Sequence, residues 1–313
     1  MKVIFMGTPD FAAASLEALI GSEHEILAVV TQPDKPKGRK GELTPPPVKT
    51  IAVENGIKVY QPVKVREPEF VEIIRDYKPD VIVVIAFGQI IPESILEIPQ
   101  YGCVNIHGSL LPKYRGAAPI QWAVLDGEKE SGVTSMLMDK GIDTGDMLLK
   151  RSIKLAEDET SGSLFDKLMA LGAETLIETL EGLEKGSITP EKQGDSPTDY
   201  AKMLTKEMGL IDFTRTAAEL DCFVRGMNPW PSAYTTLDGK TLKIWRAKPV
   251  AEKGKTGSVL RVGKDSFIVG CGENALEIFE VQLEGKKRMS AGDFLKGTHI
   301  EAGKEFGGEF GGK

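Results

Sequence analysis

Cysteine is nearly absent from this chain, with only Cys103, Cys222 and Cys271 among 313 residues. They are odd in number, far apart and without a close Cys or His partner. Neither a disulfide framework nor a zinc site is indicated, and three buried thiols are expected. Histidine is as scarce: His24, His107 and His299 are the whole set, which narrows the search for a base that titrates near neutral pH. Long apolar runs are also lacking. The longest, Val81 to Phe87, falls far short of the roughly 20 residues that cross a bilayer. The opening run, Met1 to Met6, reaches Gly7, Pro9 and Asp10 too soon for a signal peptide. A cytoplasmic protein with no membrane partner is expected. The turn Met6-Gly7-Thr8-Pro9-Asp10-Phe11 holds a single glycine, and GxGxxG, GxxxxGK[ST], GxSxG and HExxH are all missing. A dinucleotide site, an NTP site, a hydrolase elbow and a zinc helix are therefore not indicated. Positive charge is in deficit: the net charge is −7 and the pI about 5.3, which speaks against indiscriminate nucleic-acid binding. The acidic excess falls before Glu207, and the remainder of the chain is close to neutral.

What is present is ordinary globular material, 41% hydrophobic and 27% charged, long enough for two domains. Short β-branched runs at 3–6, 26–31, 81–87, 103–107 and 133–138 read as strands. Helical spacing fills 11–20, 48–54, 68–77 and 117–125 between them. This alternation predicts an α/β fold, a Rossmann-like and mostly parallel sheet with helices on both faces. A longer helix over 163–183 ends at Gly186 and Pro190, closing a first domain at 1–190. The polar stretch that follows, with no apolar period, is assigned as a linker at 191–207. After one helix at 217–225 the pattern changes to strands alone, at 233–237, 241–246, 258–262, 267–269 and 275–281, with hairpin signals at Asp238-Gly239 and Gly263-Lys264-Asp265. Residues 208–313 are thus expected to form a smaller OB-like β-barrel, an architecture often used for oligonucleotides.

Of the three histidines, His24 lies in a polar turn and His299 near a Gly-rich tail, where passive surface roles are expected. His107 ends the strand Cys103-Val104-Asn105-Ile106-His107 and precedes Gly108. The two-residue period of a strand puts Asn105 and His107 on one face, at the carboxyl end where open α/β sheets bind ligands. Spacing alone leaves a catalytic pair and a pair that merely satisfies loop backbone evenly matched. A carboxylate to orient the imidazole could come from the loop Lys140-Gly141-Ile142-Asp143-Thr144-Gly145-Asp146, whose glycines permit a tight turn. Asp139, Asp143 and Asp146 are all candidates by spacing.

The run Asn105-Ile106-His107-Gly108-Ser109-Leu110-Leu111-Pro112-Lys113-Tyr114-Arg115-Gly116-Ala117-Ala118-Pro119, taken with Gly141-Ile142-Asp143-Thr144-Gly145-Asp146, resembles the active-site signature of the 10-formyltetrahydrofolate-dependent formyltransferases. The resemblance extends over essentially the whole chain. It implies Asn105, His107 and Asp143 as catalytic residues, Ser109, Leu110, Leu111 and Pro112 as a folate-binding loop, and Phe87, Gly88 and Gln89 within a segment that walls the pteridine pocket. It implies 10-formyltetrahydrofolate as formyl-donating co-substrate and no metal. The segment from Thr31 to Lys40 resembles the family's inserted loop that reaches a tRNA acceptor end, implying Lys35, Lys37, Arg39 and Lys40 as tRNA contacts. Asn228-Pro229-Trp230-Pro231 resembles the join to a C-terminal domain that holds the tRNA. The branch so implied acts on methionyl-initiator tRNA, and a monomer is the default. A sugar-nucleotide amine formyltransferase or a formyltetrahydrofolate hydrolase domain would share the three catalytic groups, but the basic, Pro-containing loop at 32–47 argues against both. A non-catalytic tRNA-binding protein is disfavoured because the three groups and the Ser109–Pro112 loop are all present.

Overall fold

The computed structural model describes residues 1–37 and 41–307. Runs such as Val81–Ile85, in which every side chain is buried, must be covered on both faces, and this forces them into the middle of a sheet. In chain order the first elements are β1 (Lys2–Gly7), α1 (Asp10–Ile20), β2 (Glu25–Val30), β3 (Lys35–Lys37), β4 (Glu42–Thr44), α2 (Pro47–Glu54), β5 (Val59–Tyr60), α3 (Pro68–Tyr77) and β6 (Val81–Ile85). There follow α4 (Glu93–Leu96), β7 (Cys103–His107), α5 (Pro119–Leu125), β8 (Glu130–Leu137), β9 (Met147–Lys154) and α6 (Ser161–Glu184).

Seven of the strands form one sheet in the order β5-β2-β1-β6-β7-β8-β9. It is parallel from β5 to β7, and antiparallel where β7 meets β8 and β8 meets β9. The register sets Asn105 beside Val84 on one side and Met136 on the other, and His107 beside Thr134. Helix starts follow local chemistry. Pro47 and Pro68 open α2 and α3, where a missing N–H costs nothing. Helix α3 then buries Phe70, Val71 and Ile74, at helical spacing, into a core that includes Ile4, Met6, Ile82 and Val84.

Strands β3, β4, β5 and β9 are among the elements not anticipated from sequence, as are α4 and the short strand and helix at 289–297. Strand β9 buries only Met147 and Leu148 at one end, so it carries no alternating pattern. Strand β5 has two residues, too few to show any period. Strands β3 and β4 pair as a hairpin, with Lys35 opposite Thr44 and Lys37 opposite Glu42.

The later elements are α7 (Ala217–Gly226), β10 (Ala233–Leu237), β11 (Lys240–Val250), β12 (Val259–Val262), β13 (Phe267–Gly270), β14 (Ala275–Leu283), β15 (Met289–Ser290) and α8 (Ala291–Gly297). They build a six-stranded antiparallel sheet, β10-β11-β14-β13-β12, with β15 on β14. Asp238 and Gly239 join β10 to β11 with φ of 50° and 74°, the left-handed pair that a two-residue hairpin turn requires. Thr216 and Glu219 close a reciprocal capping box at the start of α7.

The chain divides into two compact units, one of Met1–Pro119, Glu130–Lys154 and Phe165–Ala201, the other of Ile120–Lys129, Leu155–Leu164 and Lys202–Lys313. The division read from sequence at 190 and 207 differs from this: residues 191–201 belong to the first unit, and 120–129 and 155–164 to the second. The thiols also depart from expectation. Cys103 and Cys271 are buried but Cys222 is only half-buried. Burial pushes the Cys103 thiol up to about 12 and that of Cys271 to about 11, which leaves both inert. No helix among the described residues is long and apolar enough to cross a membrane.

Candidate active site

The carboxyl end of β7 delivers two polar side chains to one place, as strand alternation requires. His107 is 6% exposed, and its Nε2 lies 2.9 Å from the carbonyl oxygen of Tyr114. A carbonyl can only accept, so this nitrogen carries the proton and Nδ1 is left as the second working position. Nδ1 faces the Asp143 carboxylate, 3.7 Å from Oδ2, close enough for charge attraction and too long for a hydrogen bond. Asn105 donates from Nδ2 to the Val84 carbonyl at 2.9 Å. Its Oδ1 is buried and has no hydrogen-bond partner among the described residues.

Three carboxylates compete by spacing, and geometry separates them. Asp139 accepts from the Gly141 amide at 2.9 Å and from the Thr144 hydroxyl at 2.8 Å, so it builds the loop. Asp146 gives its backbone carbonyl to the Leu137 amide at 2.8 Å. Asp143 alone of the three is within ion-pair distance of His107, and its Oδ2 also accepts from the Gly116 amide at 2.9 Å. Its φ of 54° is left-handed, a conformation that Asp tolerates better than most residues. Gly145 is required by space, because a Cβ there would stand 1.7 Å from the Leu137 carbonyl oxygen.

The loop after β7 is pinned from across the sheet. Thr134 on β8 donates to the Ser109 carbonyl at 2.7 Å and its oxygen accepts from the Leu111 amide at 3.0 Å. Ser109 donates to the Lys113 carbonyl at 2.6 Å, so its hydroxyl proton is spent on the loop. Leu111 is buried while Leu110 and Pro112 are half-buried. In the other segment, Phe87 is 2% exposed within the core, and its carbonyl accepts from Thr8 at 2.9 Å and Gln32 at 3.2 Å. Gly88 turns the chain at φ 85°. The Gln89 amide is committed to the Val65 N–H at 2.8 Å and the Pro62 carbonyl at 3.2 Å. Phe87 thus packs within the core, and the Gln89 side chain is tied to the backbone of Pro62 and Val65.

Of the basic segment, Lys35 and Lys37 stand on β3, which pairs with β4. Lys35 is exposed on β3. Lys37 contributes backbone pairing, while its side chain and all of Arg39 and Lys40 lie outside the described residues. The base of the hairpin is anchored by Asp34, which accepts from Lys49 Nζ at 2.7 Å and from Gln61 Nε2 at 2.8 Å. Gln61 first and Lys49 second hold the Asp34 carboxyl below the usual carboxylate range. His24, expected as a solvated turn residue, is half-buried, and burial lowers its imidazole pKa. His299 is exposed, 3.4 Å from Glu301.

Sequence reasoning missed Thr134 and the whole stretch 191–201. Gln193 donates to the carbonyls of Asp143 at 3.0 Å and Gly145 at 2.7 Å. Thr198 accepts from the Tyr114 amide at 2.8 Å, and the backbone of Ala201 exchanges bonds with Arg115 and Ala117 at 2.8 and 2.9 Å. Tyr200 is 45% exposed, and its phenol is pushed up by burial and by the Asp143 charge. A polar stretch with no apolar period reads as a linker, and no residue-level signal marks it otherwise. Among the described residues no group of His, Cys, Asp and Glu is arranged to hold a metal ion.

Comparison with known proteins gives this geometry a family. The formyl transferase model matches residues 1–180 and the formyl transferase C-terminal domain model residues 203–299. A methionyl-tRNA formyltransferase of Geobacter metallireducens is 58% identical over 307 residues, spanning 98% of this chain and 99% of that protein. One from Lachnospira eligens is 56% identical over 314 residues, spanning 98% and 100%. Among solved structures, the N-formyltransferase of Helicobacter canadensis, determined with folinic acid and dTDP-3-aminofucose, aligns with a TM-score of 0.68 over 92% of this chain and 100% of its own at 18% identity, a likeness of fold. With both domains matched in order and relatives this similar along nearly its full length, the chain belongs to the formyl transferase family.

Proposed function

We propose that this protein transfers the formyl group of 10-formyltetrahydrofolate to the free α-amine of methionyl-initiator tRNA, giving N-formylmethionyl-tRNA, and does so as a cytoplasmic monomer. The observation that carries the chemistry is the convergence of Asn105, His107 and Asp143 at the end of β7, with the imidazole at 3.7 Å from the carboxylate. The acceptor follows from the relatives more than half identical to this chain, which are methionyl-tRNA formyltransferases.

Attack of a neutral amine on the formyl carbon turns the carbonyl into an oxyanion and leaves a cationic nitrogen. The first needs N–H donors and the second a proton acceptor. Asn105 has one amide N–H on Val84 and a second to offer the oxyanion. In the imidazolium form His107 keeps Nε2–H on Tyr114 and presents Nδ1–H to the same oxygen, with Asp143 nearby to stabilise the positive ring. Asp143 takes the proton from the attacking nitrogen, directly or through water, and returns it to N10 as the C–N10 bond breaks, which leaves tetrahydrofolate and the formamide. The buried, unpartnered Oδ1 of Asn105 is an acceptor whose partner is expected to arrive with the substrate amine, since an orphaned oxygen in a paired interior otherwise costs about 1–3 kcal/mol. Ser109–Pro112 and Phe87–Gln89 enclose the folate by shape. Lys35 and Lys37 of β3, with Arg39 and Lys40 that follow them in the sequence, meet the tRNA acceptor end.

The test supplies labelled 10-formyltetrahydrofolate with methionyl-initiator tRNA or with a dTDP-amino sugar. Label appearing on the tRNA and not on the sugar is expected. Label on the sugar alone would assign the acceptor wrongly, and release of free formate without an acceptor would make the protein a hydrolase.

A further inference from the structure

Nothing in the three-residue centre explains what keeps Asp143 at the imidazole. Its loop extends beyond the paired end of β8, and Asp143 itself sits in a left-handed conformation. From outside the loop the Gly116 amide holds the Asp143 Oδ2, and the loop backbone itself is held by a side-chain amide some fifty residues later in the chain. Gln193 Nε2 donates to the carbonyl of Asp143 at 3.0 Å and to that of Gly145 at 2.7 Å. On its other side Gln193 Oε1 accepts from Arg115 Nε at 3.0 Å and Nη2 at 2.8 Å. Arg115 stands between Tyr114, whose carbonyl holds His107 Nε2, and Gly116, whose amide holds Asp143 Oδ2. Both donors and the acceptor of one amide are thus used to tie the loop that carries the carboxylate to the loop that orients the imidazole. The segment bearing it is fixed on both flanks: Glu191 and Met147 exchange backbone bonds at 2.8 Å, and the Ala201 amide donates to Arg115 at 2.8 Å.

We propose that Gln193 is a positioning residue for formyl transfer, bridging the Asp143–Gly145 backbone to Arg115 so that the carboxylate is held against His107. This rests on reading Asp143 as the proton acceptor. The Gln193 amide is used on protein groups at both ends, so its effect falls on the rate of the chemical step and not on binding.

Gln193→Glu isolates the function. It keeps, and by charge strengthens, the acceptor for Arg115, yet sets an acceptor against two carbonyls where two donors stood. If Gln193 only anchored Arg115, this variant would be silent. The expected result is a kcat about 10²-fold lower, the scale of loss that ~1 Å of misplacement brings, with KM for folate and tRNA within about twofold of wild type. The His107 ring signal in a 15N NMR spectrum should move while those of His24 and His299 stay. Should Gln193→Glu fold poorly, Gln193→Ala and Arg115→Ala replace it, and their combination should be no worse than Gln193→Ala alone, because both cut one bridge. Wild-type kcat with an unmoved His107 signal, or a kcat loss that merely follows the folded fraction in a melt, overturns the proposal. If wild type transfers no formyl group at all, the functional reading fails separately, and the ring signal still reports whether the bridge orients the pair.

Discussion

Asn105 and His107 stand on a strand, and Asp143 stands on a loop; the two regions reach the same point by different physics. On β7 the ladder to β6 and β8 fixes the backbone, and alternation does the rest, so side-chain direction is inherited from the sheet. The 139–146 loop has no such inheritance. Its carboxylate is placed by bonds borrowed from Gly116 and Gln193, and its sharp turn is possible only because Gly145 lacks a Cβ. A position supplied by a ladder is cheap to specify in sequence, whereas a borrowed one is spread over residues far apart in the chain.

The strongest way to sharpen that contrast is to change chemistry without changing position. Asp143→Asn keeps the left-handed tolerance and an oxygen for the Gly116 amide, but removes the proton acceptor and the charge beside His107. Turnover should fall by ~10²–10⁴, the usual contribution of a positioned acid–base group. Steady-state rates set against a thermal melt would check it, and a silent Asp143→Asn would reduce the loop to scaffolding. Next in size is Asn105→Ala, which removes a donor whose position the ladder guarantees. A loss of ~10²–10³ in kcat with folate affinity little changed is expected, measured by pairing kinetics with folate titration. Unchanged turnover would strip the strand of its assigned role.

What could be read from sequence tracks the same division. The limits of β7 at Cys103–His107 and of α3 at Pro68–Tyr77 agree with the pattern residue for residue, because buried alternation and amphipathic spacing are local properties. Strand β9 carries no readable period because half of it is exposed. The pairing of β3 with β4 has no sequence signature because both strands are short and mostly polar and β3 contains a proline. Within the site, strand period places Asn105 and His107 together, but the choice of Asp143 over Asp139 and Asp146 came only from resemblance to a family. Gln193 stayed invisible because its function depends on four hydrogen bonds to three residues distant in sequence, and its neighbourhood has the composition of a linker. Composition reports whether a segment can bury apolar surface. It is blind to a polar segment held by hydrogen bonds alone.

The smallest effect expected is also the one that could break the comparison. Asp139 is the loop's own internal brace, accepting from the Gly141 amide at 2.9 Å and the Thr144 hydroxyl at 2.8 Å. It is exposed, so water can replace both bonds, each worth about 0.5–1.5 kcal/mol net. If the carboxylate of Asp143 is placed from outside the loop, Asp139→Ala should lower kcat by only about two- to fivefold, a loss of under about 1 kcal/mol, while Gly116 and Gln193 continue to hold their bonds. A collapse of a hundredfold, in a protein that melts like wild type, would mean that the loop sets its own geometry. The contrast between ladder and borrowed position would then dissolve, and the bridge through Gln193 would lose its reason.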